Sequence, residues 1–365
     1  MESSLLHLLV LSQINGLGPV STRRLLARFG GADKLFAATR GKLLQTPGVG
    51  PKVVDQLISP REYFQKAEQE LQFCEQNGIV PLPYTSPDYP RELGFLYDAP
   101  LLVFKKGAVD LNLQPGIAIV GTRKATEYGK ELAAEFAACF SRAGMNVVSG
   151  LAYGIDIAAH KSAVETGGIT TAVLGHGLDT IYPARHRKKA EEVLERGGWV
   201  TEFLSGTLPE RTNFPARNRI ISGLSKAVLV IEAAAKGGAL ITARMAFDQN
   251  REVFAVPGRL NDPVSVGCNH LIRDQVAKLV TTPEEILEEL EIAWQQPPNQ
   301  ELATLALPLN AEETRVLQVL SKGEALVDQL AIRTSIPVHQ LSALLLSMEF
   351  RGLLKQLPGK RFRKL

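Results

Sequence analysis

The sequence predicts an α/β fold: a doubly wound, parallel-sheet domain over residues 81–296, a helical domain before it at 1–80, and a winged helix after it at 309–365. Three observations carry that expectation. Continuous apolar runs alternate with helical stretches through the middle, as strands covered on both faces of a parallel sheet must. Two look-alike Gly-Pro loops punctuate the N-terminal region. The last region reads as three helices followed by a basic hairpin.

The N-terminal loops are Ile14-Asn15-Gly16-Leu17-Gly18-Pro19 and Thr46-Pro47-Gly48-Val49-Gly50-Pro51. Each precedes an apolar-periodic stretch, at Leu25-Leu26 and at Val53-Val54, which is a helix-hairpin-helix pattern. Such a glycine turn either presents backbone N–H groups to a nucleic-acid phosphate or only lets two packed helices turn. The middle region opens with Pro81, Pro83, Pro87, Pro90 and Pro100, a density that excludes regular helix. Strand-like runs follow at Ile117–Val120, Met145–Ser149, Ile169–Leu174, Ala227–Ile231 and Glu252–Val256. Between them lie helical stretches such as Glu131–Ala143, Ile155–Glu165 and Leu240–Gln249. A Pro-rich linker at 297–308 leads to helices at Glu312–Leu320, Leu326–Thr334 and Val338–Phe350. Leu353–Leu357 and Lys360–Leu365, joined by Pro358-Gly359, complete a winged-helix outline.

Composition bounds the function. At 365 residues the chain accommodates two or three domains, and 45% apolar with 22% charged residues excludes disorder as its main state. Cys74, Cys139 and Cys268 are odd in number and far apart, so neither a disulfide framework nor a zinc site is expected, only buried thiols in a reducing compartment. The start, Met1 to His7, has no basic secretory region, and no run approaches the roughly 18 apolar residues of a membrane helix. The expected location is the cytoplasm, without membrane association. A net charge of +3 is too mild to imply nucleic acid by itself. The middle region carries 23 Lys/Arg against 25 Asp/Glu, a net of −2, so any polyanion site there must be a local pocket.

In an open parallel sheet, ligands bind beyond the carboxyl ends of the strands. The residues after four of the expected strands are Gly121-Thr122-Arg123-Lys124, Gly150-Leu151-Ala152-Tyr153-Gly154, Gly175-His176-Gly177 and Lys236-Gly237-Gly238. Four glycine turns in register, with Arg123 at the first, make a floor on which backbone N–H groups at helix N-termini can approach a phosphate. The competing reading is that these glycines serve packing alone.

The segment Glu210 to Gly223 places Arg211, Arg217 and Arg219 around Phe214. Arginine offers planar donors to a phosphate or base edge, and an aromatic ring stacks on an unpaired base. Pro215 is expected as the first helical residue. Alternatively, Arg217 and Arg219 pair with acids such as Glu202 and Glu232, and Phe214 is core. Arg185, Arg187, Lys188 and Lys189 form a further basic cluster.

Several classes are disfavoured. No G-x-x-x-x-G-K-[ST] run is present, and Val120-Gly121-Thr122-Arg123 is not a dinucleotide fingerprint. Asp156 and His160 share a helix face at i, i+4, but no third metal ligand accompanies them. No catalytic triad is readable. Neither metal nor cofactor is expected.

Five motifs resemble the DNA-processing protein A (DprA/Smf) family. They are Ile119-Val120-Gly121-Thr122-Arg123, the run Ser149 to His160, the run Thr171 to Pro183, Phe214-Pro215-Ala216-Arg217-Asn218-Arg219-Ile220-Ile221-Ser222-Gly223-Leu224-Ser225, and Val256-Pro257-Gly258. The resemblance spans the whole middle region. It implies an extended Rossmann-like domain that binds single-stranded DNA without hydrolysing it, protects it and passes it to the RecA recombinase in natural transformation. The flanking helix-hairpin-helix/SAM-like and winged-helix regions fit the family's fuller architecture. Arg123 and Arg211 correspond to family DNA-binding positions, and Phe214 to its base-contacting aromatic. Dimerisation through about residues 245–280 is also implied. Two departures stand out: His186 where the family has Asn after Tyr182-Pro183, and Lys236-Gly237-Gly238-Ala239 where Ser-Gly-Ser is usual.

The DNA-contacting set expected is therefore Gly121, Thr122, Arg123, Lys124, Gly150, Gly154, Gly175, Gly177, Arg185, Arg211, Phe214, Arg217, Arg219, Gly237 and Gly238. One alternative is a nucleotide-processing hydrolase of the phosphoribohydrolase type. Its Pro-Gly-Gly-x-Gly-Thr signature and catalytic Glu are missing from Ala235-Lys236-Gly237-Gly238-Ala239-Leu240. Another is a winged-helix transcription factor, but the helix from Val338 to Glu349 contains no Lys or Arg to read bases. Residues 351–365 hold Arg351, Lys355, Lys360, Arg361, Arg363 and Lys364 with no acid, so that wing is either an auxiliary phosphate contact or a solvated terminus.

Overall fold

The computed structural model describes residues 2–293, 309–351, 353–357 and 359–364. The linker expected at 297–308 and Pro358 of the expected hairpin turn lie outside the described residues. The described chain forms two compact units, one within 2–293 and one within 309–364.

Six helices open the first unit: α1 (Glu2–Ser12), α2 (Pro19–Phe29), α3 (Ala32–Phe36), α4 (Arg40–Leu44), α5 (Pro51–Ile58) and α6 (Arg61–Gln76). Pro19 and Pro51 start α2 and α5, where a missing N–H costs nothing, after Gly18 and Gly50. Leu25, Leu35, Leu43, Val54 and Leu57 form their shared core. Leu8 and Leu9 of α1 and Ala67 and Cys74 of α6 instead pack with Phe104 and Trp199 of the sheet, which ties these helices to the α/β body. Cys74, Cys139 and Cys268 are buried free thiols.

Nine strands follow: β1 (Ile79–Pro83), β2 (Leu102–Lys106), β3 (Gly116–Gly121), β4 (Asn146–Ser149), β5 (Thr170–Val173), β6 (Gly198–Thr201), β7 (Ala227–Ile231), β8 (Glu252–Ala255) and β9 (Lys278–Leu279). Their order is β1-β2-β6-β5-β4-β3-β7-β8-β9. The seven from β6 to β9 run parallel, while β2 joins β6 antiparallel and β1 joins β2 antiparallel. The proline stretch thus contributes an edge strand. Pro81 and Pro83 are tolerated there because β1 has only β2 as a partner.

The helices of this body are α7 (Arg91–Gly94), α8 (Glu127–Arg142), α9 (Ile155–Glu165), α10 (Arg187–Arg196), α11 (Asn213–Gly223), α12 (Gly238–Asp248), α13 (Val266–Arg273) and α14 (Pro283–Glu289). They cover both faces of the sheet, because alternate strand residues point to opposite sides. Ala118, Val120, Val148, Val228 and Val230 meet Ile220 and Ile221 of α11 and Ala243 of α12. Ile117, Ile119, Val147, Leu229 and Ile231 meet Phe136 and Phe140 of α8, Ala159 of α9 and Ile286 of α14. Each fully buried valine, leucine, isoleucine or phenylalanine side chain among them contributes about 1.5–3 kcal/mol relative to exposure. Helix α11 begins at Asn213, so Pro215 is its third residue rather than its first, still among the positions whose N–H has no intrahelical partner.

From β3 the chain proceeds outward through β4, β5 and β6, then returns to β7 on the other side of β3. This reversal opens a crevice beyond the carboxyl ends of β3 and β7.

The second unit holds α15 (Ala311–Leu320), β10 (Ala325–Leu326), α16 (Val327–Thr334), α17 (Val338–Phe350), β11 (Leu354–Leu357) and β12 (Arg361–Lys364). Its sheet order is β10-β12-β11, so a third strand joins the expected hairpin. Asn310 and Glu313 form a capping box that fixes the start of α15. Leu330, Leu341, Leu345, Met348 and Leu354 are its core.

Candidate nucleic-acid interface

The crevice at the reversal is a cleft of about 330 Å³. The β3–α8 turn brings Gly121, Thr122 and Arg123 to it, the β4–α9 turn Ala152 and Asp156, the β7–α12 turn Lys236, Gly237 and Gly238, and α11 Phe214, Arg217 and Asn218. A smaller adjoining hollow of about 60 Å³ shares Arg123, Ala152, Phe214 and Arg217 and adds Gly150, Tyr153 and Tyr182.

The β3–α8 turn is held rigidly. Thr122 N donates to Glu232 O at 2.8 Å, and Thr126 N donates to the Glu232 carboxylate at 2.9 Å. Thr126 Oγ1 also donates to that carboxylate and accepts from Gly129 N at 3.0 Å as the cap of α8. Glu232 is therefore occupied in the turn and is not a partner of Arg217 or Arg219. The turn leaves Arg123 exposed, with no ion pair among the described residues.

Phe214 is half-buried rather than core. The Arg123 guanidinium carbon sits 5.3 Å from its ring centroid and that of Arg217 5.8 Å, both within cation–π range. The Tyr182 ring lies 6.1 Å away, tilted by 36°. Two cations and two aromatic rings are thus gathered at one wall.

Arg217 is buried, and its Nη1 donates to Gly150 O at 2.6 Å and Val173 O at 2.7 Å, bracing the ends of β4 and β5. A Cβ at Gly150 would lie 2.1 Å from Nη1, so glycine is needed there for the guanidinium to fit. Burial pulls the Arg217 pKa down to about 10, opposed by the nearby Asp156 charge. Asp156 accepts from Gly150 N at 3.2 Å and Ala152 N at 3.3 Å. Burial raises its pKa, and Arg217 counteracts this. His160 is not among the residues that line the cleft: its Nδ1 is 2.7 Å from Thr170 Oγ1, and burial pushes its pKa down to about 3. Among the described residues no cluster of three or more His, Cys, Asp or Glu is placed to hold a metal. No helix there is long and apolar enough to cross a membrane.

Of the expected residues, Gly121, Thr122, Arg123, Phe214, Arg217, Gly237 and Gly238 line the cleft, and Gly150 lines the adjoining hollow. Gly154 begins α9 and lines a third hollow that also includes Arg123. Lys124, Arg185 and Arg211 are exposed, Arg185 in a short 3₁₀ turn from Ala184 to His186. None of these three lines the cleft or the adjoining hollow, and three further residues are not brought there either. Gly175 packs beneath Phe214, where a Cβ would stand 3.1 Å from the ring, and Gly177 packs against Asp179 and Leu204. Arg219 is paired with Glu202 and Asp98, donates to Asp98 O at 2.9 Å, and lines a separate hollow with Phe95 and Tyr97. Tyr153, Tyr182, Asn218 and Lys236 lie in quoted motifs or turns but outside the expected DNA-contacting set, and the structure adds them to the cleft and its adjoining hollow. The signal for the two tyrosines was an aromatic beside a strand-end turn.

The DNA recombination-mediator protein A family model matches residues 81–291, more than half of the chain. Protein Smf of Synechocystis is 33% identical over 97% of both chains. The chain belongs to the DprA/Smf family. A SAM-like helix-hairpin-helix tandem matches residues 8–59 and the DprA winged helix domain residues 298–360. The Escherichia coli Protein Smf is 39% identical over 87% of this chain and 85% of its own. Among solved structures, DNA processing protein A from Streptococcus pneumoniae superimposes with a TM-score of 0.66 at 33% identity, covering 79% of this chain and 97% of that one. The corresponding Helicobacter pylori protein, which binds single-stranded DNA, gives a TM-score of 0.53 at 28% identity, covering 58% of this chain and 95% of that one.

Proposed function

We propose that this chain binds single-stranded DNA across the cleft, protects it, and loads the RecA recombinase on it in natural transformation, without catalysing a reaction. The observation that carries the reading is the packing of Arg123 over Phe214 at the mouth of a glycine-lined switch-point cleft. A half-buried ring flanked by an exposed cation is what an unpaired base and its phosphate need, whereas a paired base offers no face to stack on. The strand-binding Helicobacter pylori relative supports the same assignment. In this reading Arg123, Lys124, Arg185 and Arg211 contact phosphates, and Phe214 stacks on a base. Gly121, Thr122, Gly150, Gly154, Gly237 and Gly238 let the strand approach the backbone, and Arg217 holds the cleft in shape. Homodimerisation through about residues 245–280 is part of the proposal. Exposed Phe247, Leu260 and Leu279 within that stretch support it.

The test is binding of labelled single strands and duplexes of equal length across a salt series. Tighter binding of the single strand at every salt concentration is expected. Equal or tighter duplex binding overturns the reading, and release of free base from nucleoside monophosphates overturns its non-catalytic part.

A further inference from the structure

A buried carboxylate lies in the helical part of the first unit, away from the cleft. Ala67, Glu70 and Cys74 are the buried residues of α6, spaced i, i+3 and i+7, so Glu70 sits on the face that packs toward the sheet. It is 6% exposed, and among the described residues no cation pairs with it. Taking a carboxylate out of water is costly unless other donors replace its hydration. Here the replacement comes from one residue 135 positions away. Ser205 N donates to Glu70 Oε1 at 3.0 Å and to Oε2 at 3.1 Å, and Ser205 Oγ donates to Oε2. Cys74 Sγ, 4.0 Å from Oε1, is a thiol that burial and the Glu70 charge push up to about 12, so it stays protonated and brings no charge.

Ser205 belongs to residues 202–212, the connection from β6 to α11, which has neither helix nor strand. Its neighbours are anchored as well. Gly206 N donates to Asp179 Oδ1 at 2.9 Å, and Gly177 N donates to Thr207 O at 3.1 Å. Beyond Thr207 the bonds are local. Glu210 N and Asn213 Nδ2 donate to Leu208 O at 2.9 and 3.1 Å, and Asn213 N donates to Glu210 O at 3.1 Å. Arg211 is exposed in this stretch, and among the described residues its side chain has no hydrogen bond or ion pair of its own. Where Arg211 stands therefore depends on the anchors at 205–207, and the buried one among them is Glu70.

We propose that Glu70 is a positioning residue for strand binding: the α6 carboxylate holds Ser205, and through it the segment that presents Arg211 to a phosphate. The strand-binding half rests on the single-strand reading and deepens it. Helix α6 thereby sets the reach of a cation that lies outside the helical region. A carboxylate suits the task because its two oxygens accept from the N–H and the O–H of one residue together, which fixes that residue's orientation as well as its place. A glutamine side chain offers a single acceptor oxygen.

The full chain is compared with its Glu70→Ala, Glu70→Gln and Ser205→Ala variants, each first checked for native circular dichroism. Brief trypsin digestion reads the loop directly. Cleavage after Arg211 should accelerate at least five-fold in Glu70→Ala, and less in Glu70→Gln and Ser205→Ala, which keep part of the latch. Cleavage after Lys124, on a turn outside the loop, should be unchanged. Labelled oligo-dT should bind Glu70→Ala at least three-fold more weakly, with a salt slope lower by about 0.7, the share of one phosphate contact. Adding Arg211→Ala to Glu70→Ala should cost less than two-fold, whereas adding Arg123→Ala should cost as much as it does alone, because the latch reaches Arg211 and not Arg123. A lesion spread through the fold would blunt both. A folded Glu70→Ala protein cut no faster after Arg211 overturns the proposal, and so does full additivity of Glu70→Ala with Arg211→Ala. Should Glu70→Ala fail to fold, the same two measurements on Ser205→Ala decide. Failure of oligo-dT to bind the unsubstituted chain is a failure of the single-strand reading, and the digestion then decides the latch alone.

Discussion

Replacing Phe214 separates a stacking ring from a structural one. The ring is half-buried and borders Arg123 at 5.3 Å, Arg217 at 5.8 Å and Tyr182 at 6.1 Å. Full truncation of a buried phenylalanine costs about 3–5 kcal/mol, so a half-buried one should cost about half as much folding stability in Phe214→Ala. Loss of base stacking costs about 1–3 kcal/mol of binding, or about 5–150-fold in Kd. Phe214→Leu keeps most of the apolar bulk and discards the π face. It should melt in urea within about 1 kcal/mol of the unsubstituted chain, because volume-conserving swaps are tolerated. Its affinity for a labelled oligo-dT, read by fluorescence anisotropy on the same preparation, should still fall at least five-fold. A folded Phe214→Leu protein with unchanged affinity would refute the stacking argument.

Three further outcomes follow from the same geometry. Arg123→Ala and Arg211→Ala remove exposed side chains, so each should leave stability nearly unchanged, weaken single-strand binding and lower the salt slope by about 0.7; an unaltered slope in the double variant sinks these contacts. His160 is neutral in the folded chain, its pKa pushed to about 3 by burial, while in the unfolded chain it protonates near 6.5. Its contribution is therefore complete above pH 6.5 and lost as pH falls toward 3, about 1.4 kcal/mol between pH 7.5 and 5.5, and urea melts of His160→Gln at the two pH values should lack this component. Deleting residues 308–365 should spare single-strand binding, because the cleft belongs to the other compact unit, and should abolish any added affinity for duplex junctions. Loss of single-strand binding by a truncated chain with native circular dichroism would refute that division.

Five of the seven parallel strands were legible because burial on both faces leaves an unbroken apolar run, as in Ala227–Ile231, where all five residues are buried. What escaped were strands whose identity is set by a neighbour. Ile79–Pro83 carries two prolines and pairs only because β2 offers it an edge, and Gly198–Thr201 is four residues led by glycine. Neither has a periodicity that local sequence can express. The glycine turns were legible as a set but not individually. Gly121, Gly150, Gly154 and Gly177 are demanded by close approach of backbone or side chains, whereas Gly237 has open space around it.

The arginines of α11 show where a pattern held more than composition reveals. Successive helical residues are about 100° apart, so Arg217 and Arg219 point about 200° apart and do not face one cleft together. Phe214 and Arg217, at i and i+3, share a face, which is why their side chains meet at 5.8 Å in the cleft wall. Arg219 is left to the opposite side, where Glu202 and Asp98 take its charge. The division between a cleft arginine and a structural one follows from helical period once α11 is known to start at Asn213. Helix geometry does not, however, say that Arg217 would be spent on Gly150 O and Val173 O. That depends on a glycine 67 residues away in sequence, small enough to admit the guanidinium. Burying Arg217 beside Asp156 shapes the cleft without placing a second mobile cation in it, so the exposed positive charge that lines the cleft comes from Arg123 and Lys236, on turns after the two β-strands that flank the topological reversal.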